Sequence, residues 1–202
     1  MIHATEALTG GFAEPVFEAQ SVFKMLMDAM ARPGTLKTVD VEVAPPAPLG
    51  IAQGAVALTL CDHDTPVWLS SGIAASATPA WLGFHTGAPL IADRDEARFA
   101  FLEAGMTLAS LSQFSVGTQE YPDRSTTLVM EMEALEGGRE LALSGPGISG
   151  IATIAPVGLS DSFLRLWNDN RAHFPRGVDL VLTAGADFLC LPRTTKIIAT
   201  EM

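Results

Sequence analysis

From Arg124 to Ile148 the chain reads RSTTLVMEMEALEGGRELALSGPGI, and the fold expected for the whole protein is built outward from this stretch. Thr127, Val129 and Glu131 alternate with Leu128, Met130 and Met132, the two-residue period of a strand running from Ser125 to Ala134. Glu136, Gly137 and Gly138 follow, with glycines where a reversal needs positive φ, and Arg139 to Leu143 offers a second strand. An antiparallel hairpin is the economical reading. It delivers Ser144-Gly145-Pro146-Gly147-Ile148, in which the glycines free the backbone for close approach while Pro146 fixes the middle and removes one donor. Such a loop either holds phosphate on its free amides or is the sharp exit turn of a strand.

Upstream, Pro15 opens a helix that runs to about Ala31, with Phe23, Leu26, Met27 and Met30 on one stripe for core or interface. Met25, Met27 and Met30 would give a partner an adaptable surface. Arg32-Pro33-Gly34 stops the helix. Thr35 to Val43 ends in alternation, Val39, Val41 and Val43 against Asp40 and Glu42, as in a strand with one wet face. Leu49 to Leu60 is apolar and long enough for a buried helix, and Val67-Trp68-Leu69 reads as a short buried strand. A helix around Pro79 to Gly83, weak alternation over Arg98 to Leu102, a short helix over Thr107 to Phe114 and a polar loop from Gly117 to Asp123 lead into the central stretch.

Downstream, Ser160 is placed to cap a helix ending near His173, with Phe163, Leu166, Trp167 and Asn170 on one face. Val178 to Thr183 and Phe188 to Leu191 face each other across Ala184-Gly185-Ala186-Asp187, a second hairpin. Helices and strands mix without strict alternation and without a repeat. The expectation is one α/β domain over residues 1–202, a mixed sheet flanked by helices.

The balance of 23 acidic against 12 basic residues gives a net charge of −11, which repels nucleic acid and anionic lipid unless cations are locally concentrated. Cys61 and Cys190 lie in apolar runs, as buried thiols of a reducing compartment do. The N-terminus has neither the basic nor the apolar region of an export signal, and no apolar run approaches the roughly 20 residues of a membrane span. A cytoplasmic protein is expected.

Candidate chemistry is sparse. Asp62, His63 and Asp64 stand beside Cys61, but adjacent residues point apart and suit one ion poorly, so a turn held by short polar side chains is favoured and no metal is expected. Asp62 stays a candidate functional acid, since loops carry function. His85 beside Thr86 and Gly87 is an acid or base, or a structural histidine at a junction. Arg193-Thr194-Thr195 sets strong donors side by side after the last hairpin strand, suited to phosphate or carboxylate, or else an ordinary surface arginine with two strand threonines. No serine elbow, phosphate-binding P-loop or dinucleotide fingerprint is present. The ligand-site candidates are therefore Gly145, Gly147, Arg193 and Thr194, with Asp62 as an aid to them, and no catalytic residue is assigned.

Several stretches in this order resemble a known family. They are Met27-x-Ala29-Met30 running into Pro33-Gly34, Leu58-Thr59-Leu60-x-Asp62-x-Asp64-Thr65-Pro66-Val67-Trp68-Leu69, Phe84-His85-Thr86-x-Ala88-Pro89-Leu90, Gly117-Thr118, Ser125-Thr126-Thr127-Leu128, Leu141-x-Leu143-Ser144-Gly145-Pro146-Gly147-Ile148, Phe174-Pro175-x-Gly177-x-Asp179-Leu180 and Leu191-Pro192-Arg193-Thr194-Thr195. Together they resemble PhnH, a subunit family of the bacterial carbon-phosphorus lyase pathway. The resemblance implies an α/β fold similar to the large domain of pyridoxal-phosphate-dependent transferases and a homodimer. It also implies assembly with the pathway's other subunits, PhnG, PhnI and PhnJ, into the synthase that makes α-D-ribose 1-methylphosphonate 5-triphosphate from ATP and methylphosphonate with loss of adenine. The resemblance leaves this subunit's own catalytic role open. A pyridoxal phosphate enzyme needs a Schiff-base lysine, and Lys24, Lys37 and Lys196 all lie outside any glycine- or serine-rich cofactor loop, so the transferase likeness is read as architecture without cofactor. Phe23, Met27 and Met30, or the glycine-loop hairpin, are the expected contact surfaces.

Overall fold

The computed structural model describes residues 8–200. Helix α1 (Pro15–Ala31) starts at a proline, whose fixed φ suits the first turn, and buries Val22, Leu26 and Ala29. A short strand β1 (Lys37–Thr38) follows, then α2 (Ile51–Leu60), β2 (Val67–Leu69), α3 (Ser71–Ala74), α4 (Thr78–His85) and β3 (Phe99–Leu102). The second half comprises β4 (Thr127–Glu131), β5 (Leu141–Ser144), β6 (Ala152–Ile154), α5 (Phe163–Ala172), β7 (Asp179–Ala184), β8 (Asp187–Leu191) and β9 (Lys196–Ala199).

Two sheets result. The larger has the order β1-β8-β7-β4-β3-β2, and the smaller the order β6-β5-β9. Strands β2, β3, β4 and β7 are parallel, whereas β8 and β1 pair antiparallel at one side. The α/β class with a mixed sheet and covering helices is thus as expected. Val129 and Val181 face a core shared with α1, α2 and α4, while Leu128, Leu180 and Leu182 face a second core shared with α5 and the small sheet. Parallel strands covered on both faces read as continuous apolar runs, which is why β2, β3 and β7 show no clean alternation.

The central hairpin does not form. β4 lies parallel between β3 and β7, with Leu128 opposite both Ala100 and Leu180, so neither of its edges is free to receive β5. The chain instead crosses to the small sheet, where β5 pairs antiparallel with β6 and β9. Gly137 does reverse the chain at φ +90, but a turn signal cannot say which strand comes next. The other hairpin stands: β7 and β8 pair with Ala184 opposite Asp187, and Gly185 at φ +59 takes the first central position, where a type II′ turn wants glycine.

Three smaller expectations are corrected. The strand over Thr35 to Val43 shrinks to Lys37–Thr38, because β1 is an edge and only Val39 continues the ladder, to Ala186. Thr107 to Phe114 holds only a 3₁₀ turn at Leu111–Gln113. Ser160 is not the cap of α5; the helix starts at Phe163, and the Ser160 and Ser162 hydroxyls bond each other at 3.0 Å.

Candidate functional site

Arg193 follows β8 and turns its side chain back along the end of the sheet. Nε donates to Oδ1 of Asp179, the first residue of β7, at 3.1 Å, and Nη2 donates to Oδ2 of the same carboxylate. Nη2 also donates to the Ser125 hydroxyl at 2.7 Å, and Nη1 donates to the carbonyls of Pro122 at 2.7 Å and Pro175 at 3.4 Å. A guanidinium has five N–H donors in a fixed fork, and all five are used inside the chain. The side chains of Arg193 and Asp179 are only 14% and 19% exposed. Neither sequence reading of Arg193 describes this: it is not a surface arginine, and it has no donor left for a phosphate.

The glycine loop packs as tightly. A Cβ on Gly147, at φ +79, would stand 2.0 Å from the carbonyl oxygen of Ala31, so the loop closes against the end of α1. A Cβ on Gly145, at φ +139, would lie 3.2 Å from the Thr194 carbonyl oxygen, close by the antiparallel pairing of Ser144 with Lys196. Gly145, Arg193 and Thr194 therefore meet at one end of the molecule, but as a packed junction. Just beyond, the buried Thr195 hydroxyl lacks a hydrogen-bond partner among the described residues, while its carbonyl accepts the Trp167 indole at 2.9 Å.

Asp62 does not join them. It sits before β2, and from β8 to β2 the sheet spans four strand spacings, about 19 Å. Its Oδ1 accepts the Asp64 amide at 3.0 Å and the Thr65 hydroxyl at 2.7 Å, the turn expected of those residue types. The Thr65 hydroxyl, then the Asp64 amide, hold its carboxyl below the usual value. No group of three or more His, Cys, Asp or Glu among the described residues could hold a metal ion. His85 is wedged between Trp81 and Phe84, with ring centroids 5.0 and 4.9 Å away, and a Cβ on Gly11 would meet its Nδ1 at 2.5 Å.

The opposite end of the parallel strands is where open α/β sheets bind ligands. There Glu131, at the end of β4, accepts the Thr183 hydroxyl at 2.5 Å and the Gly185 amide at 2.9 Å. Its carboxylate lies against the first turn of α2, where a Cβ on Gly50 would be 2.5 Å from Oε2. Two donors of that turn are also used: Gly50 N–H bonds Gln53 Oε1, and Ala52 N–H bonds the Gly185 carbonyl. Gln53, fully buried, donates through Nε2 to the carbonyls of Leu102 and Val129, which fixes α2 to β3 and β4. A helix N-terminus that could attract an anion is thereby filled by the protein's own carboxylate. Periodicity alone did not reveal Glu131; the signal was an acidic residue closing a strand otherwise made of apolar and Thr positions.

Along α1, Phe23 and Met27 are 47% and 56% exposed, while Met30 is half-buried and packs toward the core. Val16 is exposed about two turns before Phe23 and three before Met27 on the same side. Both thiols are buried and free; desolvation, helped by Asp62, pushes Cys61 up to about 12, and desolvation, helped by Asp179, pushes Cys190 higher still. No helix among the described residues is long and apolar enough to cross a membrane.

Comparison with known proteins gives the family. The model of the bacterial phosphonate metabolism protein family PhnH matches residues 10–198. The chain is 60% identical over 197 residues to the alpha-D-ribose 1-methylphosphonate 5-triphosphate synthase subunit PhnH of Rhizobium meliloti (strain 1021), covering 98% of each chain. It is 37% identical over 82 residues to the putative C-P lyase subunit protein HtxG of Stutzerimonas stutzeri, covering 41% of this chain and 42% of that one. With the family match running across both sheets and the closely similar relative covering nearly its full length, the chain belongs to the PhnH family of bacterial phosphonate metabolism proteins.

Proposed function

We propose that this chain is a subunit of the α-D-ribose 1-methylphosphonate 5-triphosphate synthase in phosphonate catabolism, and that it binds and positions its partners instead of making or breaking bonds itself. The single observation that carries the positioning role is the saturation of Arg193: its five donors are spent on Asp179, Ser125, Pro122 and Pro175. The self-filled crevice at Glu131 supports the same reading. Assignment to the synthase is supported by the full-length similarity to a subunit of that name.

On this reading the protein acts in the cytoplasm, forms a homodimer and joins PhnG, PhnI and PhnJ. The transferase-like architecture serves as scaffold, without pyridoxal phosphate: Lys24 is 82% exposed and paired with Asp28, and Lys196 opens the outer strand β9. The dimer uses the exposed side of α1, where Val16, Phe23 and Met27 present an apolar stripe. Co-expression with the three other subunits, with the tag on this chain alone, tests the proposal. The expected result is a stable complex from which omission of this chain removes adenine release from ATP plus methylphosphonate. Failure of the subunits to co-purify, or full activity without this chain, would contradict it.

A further inference from the structure

A single nitrogen, Arg193 Nη1, holds the carbonyls of both Pro122 and Pro175. Each proline is preceded by an aromatic residue that faces solvent: Tyr121 is 51% exposed and Phe174 is 64% exposed. The two segments are tied a second time, since Gly177 N–H donates to the Val116 carbonyl and the Ser115 hydroxyl to the Arg124 carbonyl. The arginine thus clamps two aromatic-proline corners into one surface, anchored below on Asp179 and Ser125.

The charge around these corners is unlike that of the rest of the chain. Arg124 lies 4.1 Å from the centroid of the Tyr121 ring, and Arg171 and Arg176 flank Phe174 in sequence. Among the described residues none of the three arginines forms an ion pair. Glu120 and Asp123 share the first corner, so three cations stand against two anions in a protein whose net charge is −11. Tyrosine, phenylalanine and unpaired arginine on a pre-organised backbone are the composition of an interface centre.

We infer that the surface formed by Tyr121, Arg124, Phe174 and Arg176 docks a carboxylate-bearing face of a different polypeptide chain. A second copy suits it less than an acidic chain, because a two-fold contact would present the same net-positive surface to itself, and the apolar side of α1 already offers a self-complementary face. Nucleic acid, which also stacks on aromatics beside arginine, is opposed by the overall negative field. The inference rests on the subunit reading above only for the choice of partner to probe.

The test is co-purification of the tagged chain with the other synthase subunits, comparing wild type with Tyr121→Ala/Phe174→Ala and with Arg124→Glu/Arg176→Glu. Thermal melting and oligomeric state of each purified variant serve as controls. Expected are unchanged melting and dimer mass, at least tenfold less captured partner for both variants, and capture by wild type that weakens as salt rises. Equal capture by wild type and both variants would overturn the inference and leave the subunit reading intact. Absence of capture by wild type would instead strike the subunit reading. Loss of the dimer in the variants would make a second copy the occupant, and binding of a single-stranded oligonucleotide that the variants abolish would make it nucleic acid; either result overturns the inference.

Discussion

Arg193 and Asp179 lock the ends of β8 and β7 together through a paired contact of guanidinium and carboxylate, reinforced by the Arg193 backbone amide, which donates to Asp179 Oδ1 at 2.7 Å. The pair is anchored but not isolated, because the same guanidinium reaches Ser125, Pro122 and Pro175. Removing the arginine leaves the Asp179 charge without its counter-ion and the carbonyls of Pro122 and Pro175 without their donor. Arg193→Ala should lower stability by about 3–5 kcal/mol in denaturant unfolding, and Arg193→Lys should recover little, since an ammonium cannot reproduce the fork. A loss below about 1 kcal/mol would show that the clamp is not structural.

Glu131 should behave as a structural cap. Glu131→Ala removes the acceptor for Thr183 and Gly185 and the negative charge beside the first turn of α2, an expected loss of about 1–3 kcal/mol. If the variant were as stable as wild type while gaining affinity for an anion such as phosphate, the crevice would be a ligand site held shut by its own carboxylate.

Two glycines of nearly equal φ separate backbone strain from packing. Gly147 (φ +79) abuts Ala31, whereas Gly150 (φ +77) has nothing within 4 Å of where its Cβ would stand. Gly150→Ala should cost about 1–2 kcal/mol from left-handed strain alone, and Gly147→Ala at least twice that. Equal losses, measured by chemical denaturation, would mean the glycine loop does not press on α1.

The thiols should be inert in the native state. With Cys61 pushed up to about 12 and Cys190 beyond it, chiefly by burial, neither forms thiolate near neutral pH. Both pKa values are raised from about 9 in the folded state, so below that range the thiols add no pH dependence, and as pH climbs above it the unfolded chain ionises first and stability falls. A disulfide-exchange reagent at pH 8 should titrate no thiol until denaturant is added. Rapid labelling of the folded protein would contradict the burial.

Much of the architecture was legible before any coordinates. Pro15 and Pro33 bracket α1, the apolar run ending at Leu60 is a buried helix, and Gly185 marks the β7–β8 turn. What misled was partnership: Leu128 and Val129 look the same whether their strand pairs with the next one or with two distant ones, and here β3 and β7 supply both edges. The site misled for a related reason. Arg193 beside two threonines suggests free donors, yet its four partner residues come from segments as far off as Pro122, and no local pattern encodes them. Asp62 was readable as a turn because its partners, Asp64 and Thr65, are its neighbours.

On the reading proposed above, this chain positions other subunits and makes no bonds alone. Adenine release from ATP and methylphosphonate, followed with the isolated purified chain and with the co-purified assembly at equal subunit concentration, tests it most directly. Release from the assembly and none above background from the isolated chain are expected. Release by the isolated chain at a rate approaching that of the assembly would contradict it.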